Sequence, residues 1–104
     1  MSSELRTLVE FNRVIHEPSR LMIAAILYAV ESADFLYLQH ETGLTKGNLS
    51  SHLAKLEEAG YVVVEKTYRG KIPLTICKLT DEGRQAFKDY RLQMKKFVDK
   101  SILE

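Results

Sequence analysis

The sequence predicts a mainly α-helical single domain with one β-hairpin, an α+β fold. A chain of 104 residues can bury one modest core but not two. Apolar residues recur at three- and four-residue spacing through five stretches, which is the pattern of amphipathic helices. Two β-rich runs, separated by a short turn with glycine, lie between the fourth and the fifth of these stretches.

The first part of the chain is predicted to form three helices. The first runs from Leu5 to about His16. Pro18 suits the first turn of the second helix, because its missing N–H is no loss there. This second helix continues through "SRLMIAAILYAV", which is apolar nearly all round, and should be the buried central element. A short helix begins at Asp34 and is closed by Gly43, a good helix terminator.

The fourth helix, the two strands and the last helix are predicted from capping residues and from residues that favour β-strands. Thr45 is a plausible N-cap for the fourth helix, which ends near Gly60. Residues 61–79 are predicted to form two β-strands. Pro73 indicates that the second strand lies at an edge of the sheet near the start of that strand. Thr80 should cap the last helix, whose first turn is acidic and therefore favourable to the helix dipole.

The fourth helix has an unusual outer face. Three leucines at i, i+4 and i+7 form a stripe that should pack inward. The first two turns away from that stripe hold four mediocre or poor helix formers: Gly47, Asn48, Ser50 and Ser51. Glycine alone costs about 1 kcal/mol relative to alanine. A small polar surface of this kind can enter the major groove of DNA, which is roughly 12 Å wide, without side chains that hold the helix away.

Charge is segregated along the chain. Residues 1–44 hold three arginines against six acidic residues, a net charge of −3. Residues 45–78 hold six basic against three acidic residues, a net charge of +3, and residues 79–104 hold six against five, a net charge of +1. The basic excess therefore lies on the fourth helix and the hairpin, as expected for a polyanionic partner.

Composition argues against several other classes of protein. The single cysteine, Cys77, excludes an internal disulfide and a multi-cysteine metal cluster, and suits a reducing cytoplasm. We expect it to be a small buried residue rather than a redox switch. The three histidines lack ligand spacing, so no metal or other cofactor is expected, and no catalytic motif points to an enzyme. The longest apolar run, Leu21 to Val30, is too short to span a bilayer, and the N-terminus does not read as a signal peptide.

The order of helix, short helix, glycine turn, helix and basic-tipped hairpin is that of a winged helix-turn-helix, with the helix-turn-helix over residues 34–60 and the wing over residues 61–80. Three segments carry a more specific likeness: "HEPSRLMIAAILY", "GLTKGNLSSHLAKLEEAGYVVVEK" and "LTDEGR". Through them the chain resembles the bacterial ArsR/MarR-type winged-helix transcriptional regulators from about residue 11 to residue 90. The resemblance implies that residues 45–59 form the recognition helix. ArsR-type metal sensors use cysteine pairs, which this chain lacks.

Eight residues of the predicted recognition helix are candidates for DNA contact. Asparagine can pair bidentately with adenine and lysine can reach guanine acceptors, so four residues are base-edge candidates: Lys46, Asn48, Ser51 and Lys55. Thr45 and Ser50 are better placed for phosphate, and Gly47 permits close backbone approach. His52 lies near the leucine stripe, so it is either a packed histidine or a phosphate ligand. The alternative for each polar residue is a solvated surface.

The hairpin tip is the second candidate contact. Its residues are Lys66, Tyr68, Arg69, Gly70 and Lys71. Such a tip can follow the DNA backbone or insert an arginine into a narrow minor groove. The alternative is an ordinary solubilising turn.

The two ends of the chain, residues 1–17 and 81–104, are predicted to form a dimer interface. An apolar stripe continues along a last helix too long to pack entirely on one domain. The candidate interface residues are Leu5, Leu8, Phe87, Tyr90, Met94, Phe97, Val98 and Ile102.

The function that these observations favour is a homodimeric, sequence-specific regulator that binds double-stranded DNA, most simply a repressor that occupies a promoter. The alternative is a winged-helix module that binds protein or RNA without reading a DNA sequence. An effector, small molecule or protein, is not identified by the sequence. A small molecule would bind at the dimer interface or beneath the recognition helix.

Overall fold

The computed structural model describes residues 10–103, and the side chains of residues 10–100. Four helices lie in this part of the chain: α1 (Pro18–Ala29), α2 (Phe35–Thr42), α3 (Lys46–Glu58) and α4 (Asp81–Leu103). Three strands accompany them: β1 (Ala33–Asp34), β2 (Val62–Arg69) and β3 (Ile72–Leu79). The architecture is a winged helix, with α2 and α3 as the helix-turn-helix and β2 and β3 as the wing.

Predicted caps and a predicted terminator hold three of the four helices, α2, α3 and α4, where the sequence placed them. The Thr45 side chain accepts a hydrogen bond from the backbone N–H of Asn48, at 3.1 Å. Gly43 ends α2 in the left-handed region, at φ 71°. The Thr80 hydroxyl accepts from the N–H of Gly83 at 2.9 Å and donates to the carbonyl of Gly60 at 2.6 Å. Thr80 therefore both starts α4 and ties it to the end of α3.

The sheet has the order β1-β3-β2, and both pairs are antiparallel. Gly70 and Lys71 join β2 to β3, and Gly70 has the positive φ, 63°, that the first position of such a two-residue turn requires. Because β1 pairs only with Ile76 and Cys77, the start of β3 has a single neighbouring strand. Pro73 lies in that part, where β3 is paired with β2 on one side and is an edge on the other, as predicted. The sequence did not predict β1, whose two residues are too few to show a β pattern.

The main core surrounds α1. Ile23 and Leu27 of α1 are fully buried against the three leucines of α3 and the inner residues of the sheet, among them Cys77. The core requires one particular glycine: a Cβ at Gly83 would lie 2.1 Å from the carbonyl oxygen of Tyr61. That close approach brings the first turn of α4 against the chain just before the wing.

A second group of buried residues, the aromatic cluster, joins α4 to the start of the described chain. It consists of Phe11, Ile15, Ala24, Phe87 and Tyr90. The rings of Phe11 and Tyr90 meet edge to face, with centroids 5.7 Å apart. The cluster fixes the base of α4.

The prediction of a helix up to His16 is wrong over residues 11–17, which form turns and bends and are called the N-terminal turn below. Asn12 explains the difference, because its side-chain oxygen accepts hydrogen bonds from the N–H groups of Val14 and Ile15 and so competes with helical bonding. Pro18 also restricts the residue before it, and Glu17 is extended, at φ −151°. The earlier part of that predicted helix lies outside the described residues.

Candidate nucleic-acid interface

Helix α3 presents its small polar face to solvent. Its leucine stripe is buried, and Leu49 and Leu56 have no exposed surface. Nine residues of the helix are exposed: Lys46, Gly47, Asn48, Ser50, Ser51, Ala54 and Lys55, followed by two acidic residues in the last turn, Glu57 and Glu58. Thr45, the cap, is exposed as well. Seven of the eight candidates on this helix are thus at the surface, and His52 is the exception.

Gly47 has no structural reason to be glycine. Its backbone is helical, and a Cβ built on it would meet nothing within 4 Å. The fold would therefore accept alanine, the better helix former. The glycine keeps the first turn of α3 bare, next to backbone N–H groups that have no partner within the helix. Such a turn can approach an anion closely.

The wing exposes its basic end. All residues from 65 to 73 are exposed, and Tyr68 shows 70% of its surface. Side chains alternate between the two faces of the hairpin, so Lys66 and Tyr68 point to one face and Arg69 to the other. Gly70 and Lys71 form the turn at the tip of the hairpin. All five wing candidates are at the surface.

A cleft of about 600 Å³ lies between α3 and the wing. The two predicted contact regions therefore face each other across it. Lys46 and Ser50 border it from α3, and Lys66 borders it from β2. Asp34 and Glu57 add two carboxyl groups to its edge, and Gln39 of α2 and Thr75 of β3 complete the polar part of the edge, above an apolar floor. The sequence did not predict these last two, because their exposure at the cleft depends on how α2 and the wing pack.

Arg13 is a basic neighbour of α3 that the sequence did not reveal. It is exposed on the N-terminal turn and borders a smaller cleft, of about 370 Å³, together with Lys55 and Glu58. The charge count placed Arg13 in an acidic part of the chain, and the predicted helix gave no sign that it lies near α3. The folded chain therefore extends the basic surface beyond residues 45–78.

His52 faces the start of α1. Its side chain is 22% exposed, and its Nδ1 lies 3.1 Å from Nη1 of Arg20 and 3.6 Å from Oε2 of Glu17. Of the two roles predicted for His52, the packed one describes this geometry, although part of the ring reaches the surface. Arg20 and Glu17 were not predicted as partners, because they lie more than thirty positions earlier in the sequence.

Glu17 is held as a carboxylate at this junction. Burial raises its pKa, but hydrogen bonds from the backbone N–H groups of Arg20 and Ser19, with the nearby charges of His52 and Arg20, outweigh burial, so the pKa of Glu17 is lowered overall. A lowered carboxyl pKa contributes stability above the pKa of the unfolded chain, and that stability is lost as the pH falls through the folded-state pKa.

Two residues predicted to lie in the dimer interface are instead inside the chain. Phe87 and Tyr90 belong to the aromatic cluster and are 6% and 3% exposed, because the N-terminal turn covers them. Met94 and Phe97 are half-buried, and Val98 is 42% exposed. Leu5, Leu8 and the side chain of Ile102 lie outside the described residues.

Helix α4 nevertheless carries an apolar face at the surface. Leu92, which was not among the residues predicted for the interface, is 59% exposed. Together with Leu21 and Val98 it lines a groove of about 640 Å³ along α4, edged by Lys88 and Lys95. The second half of α4 therefore exposes Val98 from the predicted stripe and Leu92 from outside it.

Cys77 is fully buried in β3, and burial raises the pKa of its thiol to about 11. It is therefore protonated at neutral pH and has the buried position predicted for it. Within the part of the chain that the structure describes, no three His, Cys, Asp or Glu residues are grouped so that they could hold a metal ion. No helix there is long and apolar enough to cross a membrane.

Comparison with known proteins identifies a protein family and a relative in another organism. Residues 19–98 match the family model of the winged helix DNA-binding domain. The chain is 46% identical over 81 residues to the uncharacterized protein MJ0432 of Methanocaldococcus jannaschii, an alignment that covers 77% of this chain and 83% of that one.

Solved structures show the same fold. A transcriptional regulator homologue from Pyrococcus horikoshii OT3 superposes with a TM-score of 0.86 at 31% identity, over 94% of this chain and 96% of that chain. A transcriptional regulator of the MarR family from Enterococcus faecalis V583 superposes with a TM-score of 0.75 at 18% identity, over 100% of this chain and 96% of that chain. At that lower identity the likeness shows the fold alone.

Proposed function

Because this chain belongs to the winged helix DNA-binding domain family, we propose that it is a sequence-specific transcriptional regulator that binds double-stranded DNA as a homodimer and represses by occupying a promoter. The observation that carries the proposal is the exposed face of α3. It is small and polar around a glycine that the fold does not need, and it lies beside a basic wing. In this role the protein binds and does not catalyse, and it works in the cytoplasm.

In the proposed complex α3 lies in the major groove. Four residues read base edges, because their side chains project from the exposed face of the helix: Lys46, Asn48, Ser51 and Lys55. Thr45 and Ser50 bind phosphate near the start of the helix. Gly47 lets the backbone approach the edge of the groove.

In the proposed complex the wing contacts the DNA beyond the phosphate backbone that borders the major groove occupied by α3. Arg69 and Lys71 flank Gly70 at the tip of the hairpin, the end farthest from the core. In the proposed complex they follow the phosphates or enter the minor groove. The cleft edged by Lys46, Ser50 and Lys66 then lies between the two grooves, where one strand of the backbone passes.

The homodimer is proposed from the shape of the molecule and the surface of α4. The described chain measures 58 Å along its longest axis and only 25 and 21 Å along the others, and α4 has 23 residues, or about 35 Å of helix. Its second half exposes the apolar groove of Leu21, Leu92 and Val98. Exposed apolar side chains gathered in a groove, here among the charged residues Lys88, Arg91, Lys95 and Asp99, support an interface at this place.

Dimerisation also serves the proposed reading of DNA. A two-fold dimer presents two copies of α3 to half-sites about 34 Å apart, one helical turn of DNA. It also doubles the number of phosphates that the basic surface can neutralise, which a domain of this size needs for tight binding.

Selection from a random-sequence duplex pool tests this proposal. The full-length protein should enrich an inverted repeat whose half-sites are separated by about one helical turn, or about 10 base pairs. A single enriched half-site would contradict the homodimer. Retention of duplexes without any shared sequence would contradict specific reading, and failure to retain any duplex while binding RNA would favour a winged-helix module of another kind.

A further inference from the structure

His52 lies at the edge of the exposed face of α3. At about 100° per residue it is on the side of the helix that carries Asn48 and Lys55, and it is also about 60° from Leu49 in the buried stripe. Its side chain is 22% exposed. The side of the ring that carries Nδ1 therefore packs against α1, and part of the side chain stays accessible next to the row of exposed residues that the proposed DNA complex uses.

The contact with Arg20 determines where the ring carries its proton. A guanidinium group donates hydrogen bonds and accepts none. At 3.1 Å from Nη1 of Arg20, Nδ1 of His52 must therefore be the acceptor. The Oε2 atom of Glu17 is 3.6 Å from the same nitrogen, beyond ordinary hydrogen-bond distance. The proton of the neutral ring thus lies on Nε2, on the far side of the ring.

Arg20 is itself held in place. Its Nε donates to the carbonyl of Val14 at 2.6 Å, and Nη1 lies 3.9 Å from Oε2 of Glu17. The side chain is only 13% exposed. The backbone N–H of Arg20 in turn donates to Glu17 at 2.8 Å. Arg13 and Lys55 are the other charged residues of the N-terminal turn and α3 that border the adjoining cleft with Arg20, opposed there by Glu58.

We propose that Arg20 is a positioning residue of the DNA-binding surface: it keeps Nδ1 of His52 an acceptor, so that Nε2–H donates to a phosphate oxygen of the DNA backbone. This inference rests on the proposed DNA binding. It assigns His52 a phosphate contact made by a neutral ring, and it gives the part-buried Arg20 a role in binding without contact with DNA.

Glu17 makes Arg20 necessary. Without the guanidinium group, the carboxylate of Glu17 is the remaining partner beside Nδ1 and attracts a proton to that atom. In the neutral ring, Nε2 would then be an acceptor, which repels a phosphate oxygen instead of binding it. The arginine therefore prevents the alternative tautomer as well as fixing the ring.

The tautomer can be measured without DNA. Nitrogen NMR of the full chain at a pH of about 8.5, where an ordinary histidine is neutral, should show His52 protonated at Nε2. The spectrum of His52→Gln identifies its signals among the three histidines. In Arg20→Met the proton should move toward Nδ1. A wild-type ring protonated at Nδ1 would overturn the proposal, whether or not any variant folds.

A double-mutant cycle tests the link to DNA. The probe is a duplex of mixed sequence of about 30 base pairs, since phosphate contacts do not depend on sequence. At the same pH, Arg20→Met should weaken binding about fivefold or more, the value of one hydrogen bond. In a His52→Gln background, where the amide remains a donor near the Nε2 position, Arg20→Met should cost much less. An equal loss in both backgrounds would mean that Arg20 acts only through charge or folding, and would overturn the inference.

Arg84→Met is the matched control. Arg84 is also a half-buried arginine that donates to a backbone carbonyl, that of Tyr28, but it lies at α4 away from His52. It should leave the His52 tautomer unchanged. If the wild-type chain binds no duplex at all, the proposed function fails. If it binds and the cycle shows no coupling, the proposed function stands and this inference fails.

Discussion

At the scale of single residues, Gly47 separates what the fold needs from what the proposed function needs. Gly47→Ala should stabilise the chain by up to about 1 kcal/mol, because alanine is the better helix former and its Cβ meets nothing. The same Cβ should weaken DNA binding, since it stands on the face that approaches the groove. Thermal or denaturant unfolding and a DNA titration check the two effects. A variant that binds DNA as well as the wild type would remove Gly47 from the interface.

Asn48 is the residue proposed to read a base most directly. Asn48→Ala should lower the discrimination at one base-pair position by about 1–3 kcal/mol, the value of a bidentate contact to adenine. Competition among duplexes that differ at single positions measures this loss. Ser51→Ala, on the same exposed face, is a useful comparison because it removes a smaller polar group. If Asn48→Ala weakens every duplex equally, Asn48 does not read sequence.

Residue-level prediction was most successful where the cause is local. Thr45, Gly43 and Thr80 were assigned from the sequence as caps and terminator, and each has that role, because capping depends on a few neighbouring atoms. The partners of His52 could not be predicted. They come from a segment more than thirty positions away, and only the packing of α1 on α3 brings them together.

At the scale of elements, the wing should contribute affinity more than specificity. Arg69→Ala combined with Lys71→Ala should weaken binding to all duplexes and flatten the dependence of log K on log salt, by about 0.9 for each phosphate that the wing no longer neutralises. Titrations at several salt concentrations measure the slope. Replacing Lys78, a basic residue of β3 paired with Glu65, by alanine is the control. An unchanged slope in the double variant would contradict the wing's proposed contact with phosphate.

Among the elements, the sequence located the helices and the hairpin but not all of their limits. Helical spacing alone suggested a helix up to His16, yet the side chain of Asn12 and the proline at position 18 impose a turn there. That turn buries Phe87 and Tyr90, which explains why two residues expected at a dimer interface are inside one chain. Periodicity shows which residues of a helix are apolar, but not which neighbour covers them.

At the scale of the whole molecule, the prediction concerns the partner of α4. Leu92→Glu should dissociate the dimer, because it replaces the most exposed apolar side chain of the groove by a carboxylate that the partner would cover. Gln93→Glu is the matched control, since it adds the same charge at the next, exposed position of the helix, outside that groove. Sedimentation or light scattering gives the mass in solution. A wild-type monomer, or a Leu92→Glu variant that remains a dimer, would contradict the proposed interface.

The proposed function as a whole depends on whether the surface formed by α3 and the wing reads DNA. The most direct measurement is the affinity of the full-length chain for the duplex immediately upstream of its own gene, compared with a shuffled duplex of the same composition, at salt concentrations of about 50 and 200 mM. A sequence-specific regulator that controls its own gene should bind the native duplex more tightly and lose affinity markedly at the higher salt. Absence of binding to both duplexes at both salt concentrations would contradict the proposed function.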